Sequence, residues 1–281
     1  MNSNRPLLVV TPTLGHSPWL DRTVASVTAY AGKRAAHVLV APPSVGADLR
    51  QRFPHCTVVE DTAAKGVYAA INLGLVHAPD PNWGWFTWIN DDDEFTPGFA
   101  PHLARALEYD GRQSAAPWCY GQVRLLDGRD DYLGRLAVAH HTADIATLAQ
   151  GGINPLNQQG LLTPRFWILR RGPLREDLRI CADVDFWLRA LMSGATFRYS
   201  PETVAVFRLH AGQISGNVAK HKAEFHQVVA TLSPRAGSKS RQLMARLRFR
   251  LANAGVYLGR IRRSGWKGGY ALLQQPEHKP T

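Results

Sequence analysis

Over its first hundred residues the chain alternates short apolar runs with helix-length amphipathic segments, and this alternation limits the possible folds more than any other feature. Residues 7–11, 37–41, 57–60 and 85–89 read as buried strands. Residues 19–30, 46–53 and 66–77 have the length and apolar spacing of helices. The order βαβαβαβ predicts an α/β fold with a mostly parallel central sheet flanked by helices. Ligands of such sheets bind beyond the carboxyl ends of the strands, so the residues that follow each strand are the candidates for chemistry.

Beyond residue 111 the pattern loosens. Strands are expected at 120–126 and 161–163, loops at 140–160 and 170–180, and a helix starting with Asp183 as its N-cap. Charge divides the chain more sharply than hydropathy does. Of a net +11 over 281 residues, positions 1–224 contribute almost nothing, with 22 basic and 21 acidic side chains; residues 225–276 carry ten basic residues and no acid. A neutral body with a basic helical C-terminal extension, bounded near residue 225, is the expected organisation. Three scattered cysteines, Cys56, Cys119 and Cys181, form no disulfide framework, so a reducing, cytoplasmic setting is expected. No secretory signal pattern and no run of about 18 apolar residues is present, so neither secretion nor membrane spanning is expected.

Three constellations carry possible chemistry. Asp91-Asp92-Asp93-Glu94 directly follows an apolar run and precedes Thr96-Pro97-Gly98. Four adjacent acids repel one another, and a divalent cation such as magnesium or manganese, which needs one or two carboxylates plus phosphate oxygens, would relieve the repulsion. A solvated loop that complements the dipole of the next helix is the bland alternative. Asp183 and Asp185 open the amphipathic segment Ala182 to Leu191 on a separate loop, either as helix-terminal acids or as the source of a general base. His210, in Phe207-Arg208-Leu209-His210, stands alone after a strand, a position more often structural than ligating.

Together with Thr11-Pro12-Thr13 after the first strand and Lys65-Gly66-Val67-Tyr68-Ala69-Ala70-Ile71-Asn72-Leu73-Gly74, these stretches resemble the inverting glycosyltransferases of family 2, in order and spacing, from about residue 6 to 216. The resemblance implies a GT-A fold, a nucleotide-sugar donor and a divalent metal, Mn2+ or Mg2+. It divides the body into a nucleotide-sugar-binding half, 1–110, and an acceptor-binding and catalytic-base half, 111–224. It places the donor nucleoside near Thr11, Pro12 and Thr13, with Lys65 and Asn72 in the same pocket. Asp91 and Asp93 take the two ends of the family's metal motif with Asp92 between them, Asp183 is the catalytic base, and His210 is a further contact to metal or diphosphate. Where the family usually carries an Asp after the second strand, this chain reads Ala41-Pro42-Pro43-Ser44, and Ala69 replaces an acid of the family pattern.

The function so implied is metal-dependent sugar transfer, with inversion, to a hydroxyl of a glycan or lipid-linked acceptor in surface polysaccharide biosynthesis. A sugar nucleotidyltransferase would want a Gly- and Lys-rich phosphate loop after the first strand, where only Gly15 is found. A nucleic-acid-binding module would carry its charge on the body, which is neutral, so no nucleic-acid partner is expected. His140, His141, Asn157, Gln158, Gln159 and Trp167 are candidate sugar contacts. In the extension, Leu243, Leu247, Leu251, Ala254, Leu258 and Ile261 trace one apolar helical stripe among arginines, with Trp266 and Tyr270 beyond. Residues 239–263 are therefore expected to meet an anionic membrane surface from the cytoplasmic side or to pack on the body.

Overall fold

The computed structural model describes residues 6–210, 213, 218–233 and 238–268, with side chains as far as 262. The expected alternation is present: β1 (Leu7–Pro12), α1 (Leu20–Tyr30), β2 (Ala35–Ala41), α2 (Pro43–Arg52), β3 (Thr57–Glu60), α3 (Val67–Val76) and β4 (Trp85–Trp88). β3, β2, β1 and β4 lie side by side in parallel register, with Leu7 opposite both Ala35 and Trp85. β1 is buried along its whole length, which is why it reads as a continuous apolar run without alternation. Pro43 extends α2 three residues ahead of the expected start, because proline suits the first turn of a helix, where its missing N–H costs nothing.

Two glycines explain the shape of the Lys65–Gly74 segment. Gly66 has φ +110°, a conformation that side-chain-bearing residues rarely adopt, and it turns the chain into α3. Gly74 lets α3 lie directly on the sheet; a Cβ there would stand 2.6 Å from a Val10 methyl.

After β4 the chain builds a second sheet. β5 (Glu94–Phe95) leads into α4 (Phe99–Ala106), followed by β6 (Trp118–Asp127), β7 (Tyr132–Arg135), α5 (Ile145–Gln150), β8 (Thr163–Pro164), α6 (Arg165–Arg171), α7 (Ala182–Leu191) and β9 (Phe197–Leu209). The second sheet has the order β5-β9-β6-β7, with β9 parallel to β6 and antiparallel to β5. The strand expected at 161–163 is shorter and different: β8 adds antiparallel to the edge of the first sheet at β4, and a bridge from Leu162 to Cys119 joins the two sheets. The helix expected to begin at Asp183 begins at Ala182, with Cys181 at the N-cap, so Asp183 lies inside the first turn.

The C-terminal segment forms α8 (Val218–Leu232), α9 (Lys239–Ala252) and α10 (Ala254–Gly268). α8 runs across the boundary expected at residue 225, and Phe225, Val228, Val229, Ala245 and Phe249 are buried in the same core as Trp88, Trp118 and Phe186. The single helix expected over 243–261 breaks at Asn253, whose buried amide accepts from Val138 N–H at 3.1 Å and donates to the Val138 and Phe249 carbonyls at 2.9 and 2.8 Å. That two-sided clamp holds the junction against the body. Tyr270 lies outside the described residues, as does the side chain of Trp266.

Candidate active site

The acid loop leaves the carboxyl end of β4 beside the end of β1, where the parallel strands converge. Each of its carboxylates has a different environment. The Asp91 carbonyl accepts from Ser17 Oγ at 2.7 Å, and its Oδ2 accepts from Thr13 Oγ1 at 2.5 Å. Asp92 has Oδ2 2.9 Å from His210 Nε2 and 3.4 Å from Gln213 Nε2, while its Oδ1 is buried with no hydrogen-bond partner among the described residues. Asp93 is wholly inside: Oδ1 accepts from the Arg208 N–H at 3.1 Å and Oδ2 from Gln159 Nε2 at 3.0 Å. Burial raises the Asp91 carboxyl, against the bond from Thr13 and with help from the Asp92 charge. Burial followed by the Asp92 charge pushes Asp93 well above the ordinary carboxylate range.

The cation that compensates this cluster is Arg208, fully buried at the end of β9. Its guanidinium donates to Asp130 Oδ1 at 3.0 and 2.9 Å, to the Asp92 carbonyl at 2.9 Å and to the Glu94 carboxylate, and it lies 5.8 Å from the Trp19 ring centroid. Arg22 of α1 reaches Glu94 at 2.8 Å and Asp130 at 2.6 Å from the solvent side. The fork of an arginine can serve several oxygens at once, which makes it the side chain suited to hold a bent acidic loop against a second sheet. The His210 ring packs on Trp19, with centroids 4.8 Å apart.

Asp183 belongs to a second framework. The backbone of the preceding loop is held by Glu224 of α8, whose Oε1 accepts from the N–H groups of Arg179, Ile180 and Cys181 at 2.8, 3.1 and 3.2 Å. Cys181 offers no side-chain cap, and the three N–H groups that Glu224 takes lie just before α7, so this carboxylate from another helix fixes the approach to the helix rather than its first turn. From the other side Tyr68 donates to the Ile180 carbonyl at 2.6 Å, and Asn72 clasps Leu174 by its N–H at 3.1 Å and its carbonyl at 2.8 Å. Asp183 itself is partly exposed, and burial raises its carboxyl to about 6, opposed by backbone N–H groups and assisted by the Glu224 charge. Phe186, one turn on, contacts Trp88 at 6.4 Å between centroids, which sets α7 against the strand that carries the acid loop.

The structure thus brings together Thr13, Asp91, Asp92, Asp93 and His210, and it sorts the remaining candidates. Thr11 is buried with its hydroxyl 2.9 Å from His37 Nε2, and Pro12 is buried beside it, so neither side chain faces outward. Asn72 is engaged with the 174–176 loop and does not line an open pocket. Lys65 is exposed. Asp93, expected to take one end of the metal motif, has both oxygens occupied by protein donors; the oxygen without a partner among the described residues belongs to Asp92, expected between the ends. Asp185 is buried and paired with Arg189 at 2.6 Å. Of the expected sugar contacts, Gln159 holds Asp93, Gln158 holds the Trp88 carbonyl at 2.7 Å, Trp167 is buried, and His140 stacks on Tyr199 at 4.2 Å.

Arg208 and Glu224 were not among the expected site residues. An arginine inside a strand-like apolar stretch is a readable signal, since a charge is buried only with partners. Glu224 gives no such signal, because the loop that it caps is more than forty residues away.

Among the described residues no group of three or more His, Cys, Asp or Glu side chains is arranged to hold a metal ion. A divalent ion completed by phosphate oxygens needs only one or two carboxylates, and the buried, unpartnered Oδ1 of Asp92 is an atom that such an ion would satisfy. The donor set is therefore compatible with magnesium or manganese through Asp92, with Asp91 and His210 adjoining.

The fold is shared with solved structures. S. aureus TarS 1-349 in complex with UDP-GlcNAc superposes with TM-score 0.58 at 11% identity, over 95% of this chain and 80% of that one. The same protein in complex with UDP gives TM-score 0.56 at 12% identity, over 95% and 90%. Against a longer TarS structure the TM-score is 0.54 at 12% identity, and this chain spans 54% of that length. No curated protein sequence is significantly similar. No helix among the described residues is long and apolar enough to cross a membrane. The sequence model for "Glycosyl transferase family 2" matches residues 8–176, more than half of the chain, and with the GT-A architecture around it this protein belongs to glycosyl transferase family 2.

Proposed function

We propose that this protein moves a sugar from a nucleotide-sugar donor to a hydroxyl of a glycan or lipid-linked acceptor in surface polysaccharide biosynthesis, with inversion at the anomeric carbon and with a divalent metal. The observation that carries this reading is the separation of two carboxylate systems: an acid loop locked by Arg208 with one buried oxygen of Asp92 unpartnered among the described residues, and Asp183 on helix α7 with its carboxyl raised to about 6. A single base poised near neutral pH, with no partnered nucleophile, suits direct displacement. The complexes of TarS with UDP-GlcNAc and UDP support a nucleotide-sugar donor for the shared fold.

In this mechanism the loop after β1 and the acid loop cradle the donor diphosphate, with Thr13 fixing the Asp91 carboxylate and His210 fixing that of Asp92. A metal held by Asp92, with Asp91 and His210 adjoining, would neutralise the departing diphosphate as a Lewis acid. Asp183, unprotonated, accepts the proton of the acceptor hydroxyl as its oxygen attacks the anomeric carbon from the face opposite the leaving diphosphate. Tyr68, Asn72 and Glu224 hold the loop that presents it, so the base meets the acceptor in a fixed orientation.

Titration calorimetry with UDP, in the presence and absence of manganese, tests the donor site. Binding that requires the metal and is lost in Asp92→Asn supports the reading; UDP binding that is indifferent to both overturns it for this nucleotide, and the same titration with other nucleoside diphosphates decides the donor class.

A further inference from the structure

α9 is docked on the body by one face and leaves the opposite face uncovered. Ala245 and Phe249 are buried, and Arg248 and Arg246 anchor the same side through Asp144 at 2.8 Å and the Gly151 carbonyl at 2.7 Å. At about 100° per residue the side chains opposite Ala245 and Phe249 are those of Leu243, Met244, Leu247 and Leu251. They are 67%, 48%, 48% and 67% exposed, and Leu258 of α10 is 55% exposed. The apolar stripe foreseen from the sequence is therefore not the surface that packs on the protein. Lys239 and Arg250 lie along one edge of the stripe, and Arg241 lies on the opposite flank between the stripe and the docked face, all exposed.

We propose that this face of α9 is a docking surface for an anionic lipid bilayer. Four large apolar side chains uncovered on three turns of helix, flanked on both sides by cations, have the layout of a helix lying in the headgroup plane with leucines among the acyl chains. The charge of the segment selects the occupant. With ten basic residues and no acid over 225–276, a second copy of the chain meeting this face would bring arginines against arginines with nothing to offset them. An anionic membrane surface supplies the missing negative charge. Asn253, clamped to Val138 and Phe249, fixes the helix from behind, so the stripe is presented without the body having to open. This inference is independent of the reaction assigned to the acid loop and Asp183.

The test is sedimentation of the full chain with phosphatidylcholine vesicles, with and without phosphatidylglycerol, at low and high salt. The intact protein is expected to sediment with the anionic vesicles at low salt and to remain in solution with phosphatidylcholine alone. Leu247→Ser/Leu251→Ser alters only exposed side chains and is expected to weaken binding by at least about tenfold, since two buried leucines are withdrawn from the acyl region. Arg241→Glu/Arg250→Glu keeps the leucines and is expected to abolish the preference for anionic vesicles. Circular dichroism and the rate of donor hydrolysis should be unchanged in both. Failure of the intact chain to sediment with anionic vesicles, or equal sedimentation by the leucine variant, overturns the proposal. So does a dimer by light scattering that the leucine variant abolishes, which would assign the face to a second copy.

Discussion

Gln159 donates to Asp93 Oδ2 at 3.0 Å across 66 positions of sequence, and this bond, with the Arg208 N–H on Oδ1, makes Asp93 an internal bolt between the two sheets. Both partners are donors, so an amide in place of the carboxylate must turn its NH2 toward another donor. Asp93→Asn is expected to destabilise the fold by about 1–3 kcal/mol, the cost of buried polar groups left unsatisfied. Asp92→Asn is expected to leave the melting temperature within about a degree or two, as a partly exposed loop position allows, while removing metal-dependent turnover. Thermal melts of the two variants check the contrast, and a stable Asp93→Asn would contradict it.

Arg208 is the largest electrostatic commitment near the site. Replacing it with methionine keeps much of its volume but strips Glu94, Asp130 and the Asp92 carbonyl of their buried cation. Removal of one partner from a buried charge cluster typically costs about 3–5 kcal/mol. Urea unfolding of Arg208→Met is expected to show a loss of that size, and a loss within experimental scatter would show that Arg22 alone suffices to hold the loop.

Asp183 sets a pH dependence whose sign is fixed. As the proposed base it would work unprotonated, and with its carboxyl at about 6 the turnover should rise with pH and level off above that value. The same raised value means that the folded chain holds this proton more tightly than the unfolded chain. This group therefore favours folding at low pH, and its contribution is lost as the pH rises from near 4 through about 6. Asp183→Asn is expected to lower kcat by about a hundredfold or more, in line with removal of a general base, with little change in donor affinity.

Glu224 should act on that limb from outside the reacting atoms. Glu224→Gln keeps an acceptor for the Arg179, Ile180 and Cys181 N–H groups but removes the charge that helps to raise Asp183. The acidic limb of the turnover profile is expected to move to lower pH. Glu224→Ala, which leaves three N–H groups without their acceptor, is expected to cost about 1–3 kcal/mol of stability as well. A limb that stays in place in Glu224→Gln would show that burial alone sets the value.

The parallel half of the fold was legible because β1, β2 and β4 are buried almost throughout and read as continuous apolar runs, with helix-length segments between the strands. The second sheet was not, since β9 pairs with β6 about eighty positions away and with β5 more than a hundred away, and no local pattern encodes such pairing. For the candidate site, motif order singled out the acid loop and the Asp183 helix. It did not distinguish Asp92 from Asp93, because adjacent identical carboxylates differ only in what folds against them: Gln159 and the end of β9 for Asp93, and His210 with a second oxygen unpartnered among the described residues for Asp92. Thr11 and Asn72 illustrate the same limit, as their bonds to His37 and to Leu174 come from other elements. In the C-terminal segment periodicity found the apolar stripe but left open whether it faces the body or a membrane surface; which face packs is decided by Ala245 and Phe249, whose partners come from other elements.

The central claim, that the acid loop serves the donor and Asp183 serves the acceptor, is tested most directly by release of nucleoside diphosphate from labelled nucleotide sugars with manganese. The intact protein, Asp92→Asn and Asp183→Asn should be compared side by side with titrations of nucleoside diphosphate binding. The account predicts slow release by the intact protein that EDTA abolishes, no metal-dependent binding or release by Asp92→Asn, and normal binding with release reduced by about a hundredfold in Asp183→Asn, as expected for loss of a base. Release at the intact rate by Asp183→Asn, or undiminished release by Asp92→Asn in excess EDTA, would contradict it.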